Sequence, residues 1–164
     1  MTGGGGRVET ASSRGQPSCA GGRIAIDEHP SPPGTAVSLM LIVSDAEQAV
    51  AWYREALGAR ELWNLGAVAG LEVQGAPFFV HEVNPDSASE FSPERARATS
   101  TRVELCTAEP DQLVARALAH GATPGAPVED HQVPGGIHRQ GAFRDPFGHN
   151  WSVGDRTALG PGRV

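Results

Sequence analysis

The feature that most constrains this chain is an internal repeat. EALGA at residues 55–59 matches LAHGA at residues 118–122, an offset of 63 residues. Each match ends a predicted amphipathic helix at a glycine, a residue suited to the left-handed conformation that ends many helices. Self-similarity at a fixed spacing indicates two copies of one structural unit.

Each unit reads as a strand, a helix and three further strands. AVSLMLIV (36–43) is a continuous apolar stretch typical of a buried strand. The helix that follows begins with a capping box of Ser44 and Glu47, and it carries Ala49, Val50, Tyr53 and Leu57 on one face. The other predicted strands are ARELWNL, AVAGLEVQG and APFFVHEVN in the first unit, and TSTRVELCT (99–107), GATPGAPVED, GIHRQGAFRD and HNWSVGD in the second, where EPDQLVARALAH (109–120) is the helix.

The sequence therefore predicts an α+β fold of two β-α-β-β-β modules. The modules cover residues 35–84 and 99–156, and a polar connector, Asn84–Ala98, joins them. Residues 1–34 are rich in Gly, Pro and Ser, so we expect a disordered tail, in which Gly22–Ile26 is a candidate short strand. Residues 157–164 are expected to be a loose end.

Composition excludes several classes of protein. The net charge of -6 argues against nucleic-acid binding, which favours a basic face. No apolar run approaches the roughly 20 residues that span a bilayer, and no apolar secretory signal is found. All thirteen basic residues are arginine, which excludes a Schiff-base lysine. Two cysteines are too few for a disulfide framework, so we expect a cytoplasmic protein.

Three motifs carry a family resemblance: VSDAEQAVAWYREALGA (43–59), ARALAHGA (115–122) and FRDPFGHNWSV (143–153). Together they resemble the vicinal-oxygen-chelate superfamily of glyoxalase I, bleomycin-resistance proteins and extradiol dioxygenases. The resemblance implies that the modules form a partly open barrel with the site on its concave side. It also implies a homodimer. Metal-dependent members place His, Glu or Gln ligands on the first and last strand of each module.

Carried onto this chain, the four ligand positions of the family fall on residues without an imidazole or carboxylate. They are Ser38, Phe79, Thr101 and Ser152. Glu104 lies three residues past Thr101, so a regular strand would turn it to the opposite face. We therefore expect no metal and no cofactor.

Other residues are candidate ligand contacts. Trp63 and Phe79 would line the cleft and favour a flat, unsaturated small molecule. Arg102 and Arg139 are suited to anionic groups. His81 shares a face with Phe79, and it and Glu72 are candidate general bases.

Three functions remain open from the sequence. The first is a metal-free protein that binds a small molecule, for instance an antibiotic, and sequesters it. The second is an enzyme, either metal-dependent or metal-free. The third is a domain without a ligand.

Overall fold

The computed structural model describes residues 37–160 together with Met1. The rest of the predicted tail, including Gly22–Ile26, lies outside the described residues. Within that described part, no helix has the length and hydropathy needed to cross a membrane.

The first module forms a four-stranded sheet with one helix. Its elements are β1 (Leu39–Val43), α1 (Ala46–Leu57), β2 (Arg60–Asn64), β3 (Val68–Val73) and β4 (Ala76–Glu82). The strand order is β1-β4-β3-β2, in which β1 runs parallel to β4 and the other pairs are antiparallel.

The second module repeats this plan. A short helix, α2 (Pro93–Ala96), lies in the connector and precedes β5 (Arg102–Cys106), α3 (Pro110–Ala119), β6 (Thr123–Pro124), β7 (Glu129–Val133), β8 (Gly136–Arg144) and β9 (Asn150–Gly154). The order is β5-β9-β8-β6, and β7 also pairs with β8. The prediction of an α+β fold with two modules is confirmed, and the two sheets stay separate, as a partly open barrel requires.

The details differ from the prediction in four places. Asp45, not Ser44, caps α1, because its carboxylate accepts the amide of Gln48 at 2.9 Å. The predicted strand GATPGAPVED is broken into β6 and the start of β7. The connector contains α2, and Arg156–Leu159 form a 3-10 turn that takes in residues 157–159 of the expected loose end.

Both sheets pack one face on a shared core. In the first sheet the buried residues alternate, as Leu41, Leu71 and Val80 do, and this face meets α1. In the second sheet Leu105, Phe143, Trp151 and Val153 do the same against α3, and α1 contacts α3. We call this side of each sheet the helix face. Successive strand residues point to opposite sides, so the other residues form an open face that points away from the core.

A buried carboxylate joins the two modules. Asp145, which is 3% exposed, accepts the hydroxyl of Tyr53 on α1 at 2.7 Å and the indole of Trp151 on β9 at 2.8 Å. Its other oxygen accepts the amides of Phe147 and His149 at 3.0 and 2.8 Å. The DPFG turn therefore organises the core. Gly148 is essential to it, because a Cβ there would lie 2.4 Å from the amide nitrogen of Glu94.

Candidate functional site

An aromatic wall crosses the open face of the first sheet. Trp63 on β2 lies opposite Gly70 on β3, Gly70 lies opposite Phe79 on β4, and Phe79 lies opposite Met40 on β1. These four residues, which we call the aromatic wall, form one row across all four strands. The sequence-predicted pair Trp63 and Phe79 is thus brought together.

Glycine shapes this wall. The indole of Trp63 lies over Gly70, since a Cβ at that position would be 2.6 Å from two ring atoms. The Trp63 and Phe79 ring centroids are 5.6 Å apart with planes tilted by 35°. Trp63 is 40% exposed and Met40 is 49% exposed. The wall is therefore a partly exposed apolar surface open to a ligand, whereas most aromatic rings of the protein are in the core.

The open face of the second sheet is polar. Its central row places Glu104 on β5, Ser152 on β9 and Ala142 on β8 opposite one another. The amide of Gln140 on β8 donates to the Glu104 carboxylate, so the pair crosses over β9. Ser152 is 4% exposed although it lies on this face. We call Glu104, Gln140 and Ser152 the polar wall.

The register of β5 differs from the one that the 63-residue offset implies. The 63-residue offset aligns the helix ends and assigns Thr101 to the site, but Thr101 precedes β5 and is exposed. Burial instead matches Leu41 with Leu105, one residue further along. A shift of one residue exchanges the two faces of a strand. Within β5 it is Glu104 that lies opposite Ser152.

These side chains do not fit a divalent metal ion. Ser38 is exposed just before β1, Phe79 is a hydrocarbon, and Ser152 is a neutral hydroxyl. Glu104 alone contributes a carboxylate, and it is already bonded to Gln140. Within residues 37–160 no group of three His, Cys, Asp or Glu side chains is placed to hold a metal.

The two candidate general bases lie apart. Glu72 is on the open face of β3 but forms an ion pair with Arg60 at 3.0 Å. It lies opposite Pro77, four residues from His81 along β4, which is about 13 Å in an extended strand. His81 is half-buried at the other end of the open face, next to Ile42 and Val68.

The two candidate arginines also separate. Arg139 points to the helix side, where Asp111 on α3 and Asp130 on β7 bind its guanidinium at 2.6 and 2.9 Å. These carboxylates raise the pKa of Arg139 further above its ordinary value. Arg102 is exposed at the start of β5, on the same open face as Glu104.

Sequence reasoning missed Met40 and Gln140, and it placed His138 beside a loop without assigning it to the site. Met40 reads as one apolar residue in a continuous run, and no periodic signal separates its face from that of Leu41. Gln140 and His138 lie in GIHRQGAFRD, where two glycines and mixed polarity obscure the alternation. The pairing of β8 with β9 is what places both on the open face.

Two open sheets built from a repeated module, with their helices together in one core, define a protein of the glyoxalase and bleomycin-resistance fold. The family model described as the Glyoxalase/Bleomycin resistance protein/Dioxygenase superfamily matches residues 35–153. Because this match covers most of the chain, the protein belongs to that superfamily, and the resemblance found in the sequence is confirmed.

One relative and two solved structures are similar to this chain in sequence or in fold. The uncharacterized protein Rv0887c of Mycobacterium tuberculosis (strain ATCC 25618 / H37Rv) is 31% identical over 142 residues, covering 82% of this chain and 79% of that protein. The crystal structure of TioX from Micromonospora sp. ML1 is 26% identical, covers 74% of this chain and 98% of that one, and superposes with a TM-score of 0.59. The fosfomycin resistance protein FosX from Mesorhizobium loti shares the fold, with 13% identity, 76% and 93% coverage and a TM-score of 0.50.

Proposed function

We propose that this protein binds a small, flat, unsaturated molecule on the aromatic wall and sequesters it without a metal or cofactor. The observation that carries the proposal is the indole of Trp63, which lies over Gly70 beside Phe79 and stays 40% exposed. An exposed ring pair offers stacking and burial to a planar ligand, and it has no evident role in the core.

The surroundings of the wall support the proposal. Leu62 and Leu65, on β2 and just after it, are 38% and 80% exposed, so this edge of the first sheet carries further exposed apolar side chains. Clustered exposed apolar side chains commonly mark a binding site or an interface. A bound ligand could cover part of this exposed apolar surface and a partner chain the rest.

A homodimer is part of the proposal. An open sheet face with an exposed apolar row is suited to a partner surface, and the open face of the second sheet offers polar groups. In a dimer the aromatic wall of one copy would face the polar wall of the other. The ligand would then stack on rings on one side and meet Glu104, Gln140 or Arg102 on the other.

Fluorescence titration tests the ligand proposal. The probe is a panel of planar aromatic compounds, such as acridine and quinoline derivatives, added to the full chain. We expect saturable quenching, and Trp63→Ala should abolish it. Trp52→Phe is the matched control, because Trp52 lies on α1 and not in the aromatic wall. Its indole donates a hydrogen bond to the His120 carbonyl at 2.7 Å.

The outcomes separate cleanly. Quenching that survives in Trp63→Ala with unchanged affinity would refute the aromatic wall as the site. Light scattering of the same samples tests the dimer, which is expected at twice the chain mass of 17.1 kDa. A monomer at micromolar concentration would contradict that part.

The enzyme alternative based on Glu72 is not carried forward, since that carboxylate is paired with Arg60. The cytoplasmic location and the lack of nucleic-acid binding stay predictions from the sequence.

A further inference from the structure

One end of the second open face holds a cysteine and a histidine on neighbouring rows. Cys106 on β5 lies directly opposite Gly154 on β9. The imidazole of His138, from β8, lies over that glycine, because a Cβ on Gly154 would be 2.8 Å from Nε2 of the ring. Gly154 has no side chain, so none of its own atoms separates the imidazole from the row of Cys106.

The histidine is held by an aspartate and has one unused nitrogen. Nδ1 of His138 is 2.7 Å from Asp155. Asp155 in turn accepts the amides of Arg139 and Thr157 at 3.0 and 2.9 Å. These hydrogen bonds, first the one from the Arg139 amide, hold the pKa of Asp155 well below its ordinary value. An ionised Asp155 places the imidazole proton on Nδ1 and leaves a lone pair on Nε2.

That lone pair is buried without a partner. His138 is 4% exposed, and in the described part of the chain Nε2 makes no hydrogen bond. An unsatisfied buried polar atom costs roughly 1–3 kcal/mol. Such atoms in native proteins often mark a functional group, and this one lies close to Gly154, the residue opposite Cys106.

The surroundings of the Cys106 thiol keep it protonated, so it would need a base to become a nucleophile. Cys106 is half-buried and free. Burial raises the pKa of its thiol, as do Glu104 on its own strand and Asp155, while Arg156 lowers it. His131, on β7, lies opposite His138. A neutral thiol is a weak nucleophile until a neighbouring base takes its proton.

We propose that Cys106 is a nucleophilic thiol, that His138 is its general base, and that Asp155 is a positioning residue for the ring. The ligand class is α,β-unsaturated carbonyl compounds, which fit the flat unsaturated ligand of the proposed function on which this inference rests. No hydrogen bond joins the thiol and Nε2 in this structure, and such contacts commonly tighten when a ligand binds.

The step needs no further reactant. The thiol proton moves to Nε2 of His138, and the sulfur forms a bond to the β-carbon of the ligand. The electron pair of the carbon–carbon double bond moves into the enolate. The enolate then takes the proton back from Nε2, which gives a thioether and restores the neutral imidazole.

Alkylation kinetics test the proposal. The full chain with Cys19→Ser is labelled with acrylamide, and adduct formation at Cys106 is followed by intact-mass spectrometry from pH 5.5 to 9.5. Base assistance predicts a rate that rises less than tenfold per pH unit between pH 6 and 8. His138→Gln should lower the rate at pH 7 at least tenfold and restore the tenfold rise, and Asp155→Asn should change the profile in the same direction.

The controls keep the test decisive. His131→Gln, on the neighbouring strand, should leave the profile unchanged. Gly154→Ala displaces the imidazole without removing it, and it should slow labelling as His138→Gln does. If the histidine variant does not fold, by circular dichroism, the wild-type profile and Gly154→Ala still decide. A tenfold rise per pH unit throughout, or equal rates in wild type and variants, would overturn the proposal.

The two proposals fail separately. Acrylamide is too small to need the aromatic wall, so its labelling rate reports on Cys106 and His138, whereas tryptophan quenching by planar compounds reports on the wall. Unassisted labelling with normal tryptophan quenching overturns the thiol proposal alone. Assisted labelling without quenching refutes the aromatic wall and leaves Cys106 and His138 as a reactive pair.

Discussion

The substitution Asp145→Asn should strongly destabilise the fold while barely changing its shape. One carboxylate oxygen accepts two side-chain donors, the hydroxyl of Tyr53 at 2.7 Å and the indole of Trp151 at 2.8 Å. An amide nitrogen in that place is itself a donor, so Trp151 loses its acceptor. Burial and Asp145 raise the pKa of Tyr53 well above its ordinary value, so the phenol stays protonated and can turn to accept.

The magnitude follows from these contacts. A hydrogen bond to a charged group contributes about 1.5–3 kcal/mol, and a stranded buried donor adds its desolvation cost. The hydrogen bonds from the backbone amides of Phe147 and His149 to the other oxygen survive, but they weaken because that oxygen is no longer charged. We expect a loss of about 3 kcal/mol in the free energy of unfolding, a large fraction of the roughly 5–15 kcal/mol of an ordinary domain.

Urea unfolding followed by circular dichroism measures this loss. The midpoint should fall with an unchanged slope, which indicates lower stability rather than a different unfolded state. Asp86→Asn, an exposed acid in the connector, is the control and should leave the midpoint in place. In the Asp145→Asn background, Tyr53→Phe should cost less than it does alone, because the two residues are coupled. A loss below about 1 kcal/mol would refute this account of the core.

Three further predictions concern the site and the pH dependence. Gly70→Ala puts a methyl group where ring atoms of Trp63 lie 2.6 Å away, so ligand affinity in the quenching assay should fall at least tenfold with little change in the urea midpoint; unchanged affinity would contradict the geometry. Burial lowers the pKa of His149, so its neutral form is favoured in the fold and stability should fall as the pH drops below about 6.5; His149→Gln should flatten the melting temperature between pH 7 and 5, and an equally steep curve would contradict this. The pKa of Asp155 is held down chiefly by the amide of Arg139, so its contribution exists above about pH 4 and is lost below; thermal melts of Asp155→Asn should differ from wild type at pH 7 and converge with it toward pH 2, and a constant difference would count against the bond.

The fold was accessible from the sequence because its signals are local and repeated. The helix from 46 to 57 has a clear apolar face and a glycine stop, and the repeat carries that pattern to residues 110–119. The broken strand between β6 and β7 was not accessible. Gly125 approaches the backbone of Ala142 so closely that a Cβ would be 2.9 Å from it, a contact that no local pattern indicates.

Only part of the candidate site could be predicted from the sequence. Trp63 and Phe79 were expected in the cleft, and the structure places them in one row. Of the polar wall, Ser152 was a sequence candidate, but Glu104 was not assigned to the site because helix ends tolerate a one-residue offset that strands do not. That offset selected Thr101, whereas burial of Leu105 places Glu104 on the open face. The pairing of His138 with Asp155 joins residues 17 positions apart and appears only once β8 and β9 are paired.

Fluorine NMR on the full chain with 5-fluorotryptophan tests the central claim most directly. The chain has three tryptophans, Trp52, Trp63 and Trp151, and only Trp63 belongs to the aromatic wall. On addition of a planar ligand that quenches fluorescence, the Trp63 resonance should shift in proportion to occupancy while those of Trp52 and Trp151 stay in place. A Trp63 resonance that does not move, with the shift at Trp52 or Trp151 instead, would contradict the account.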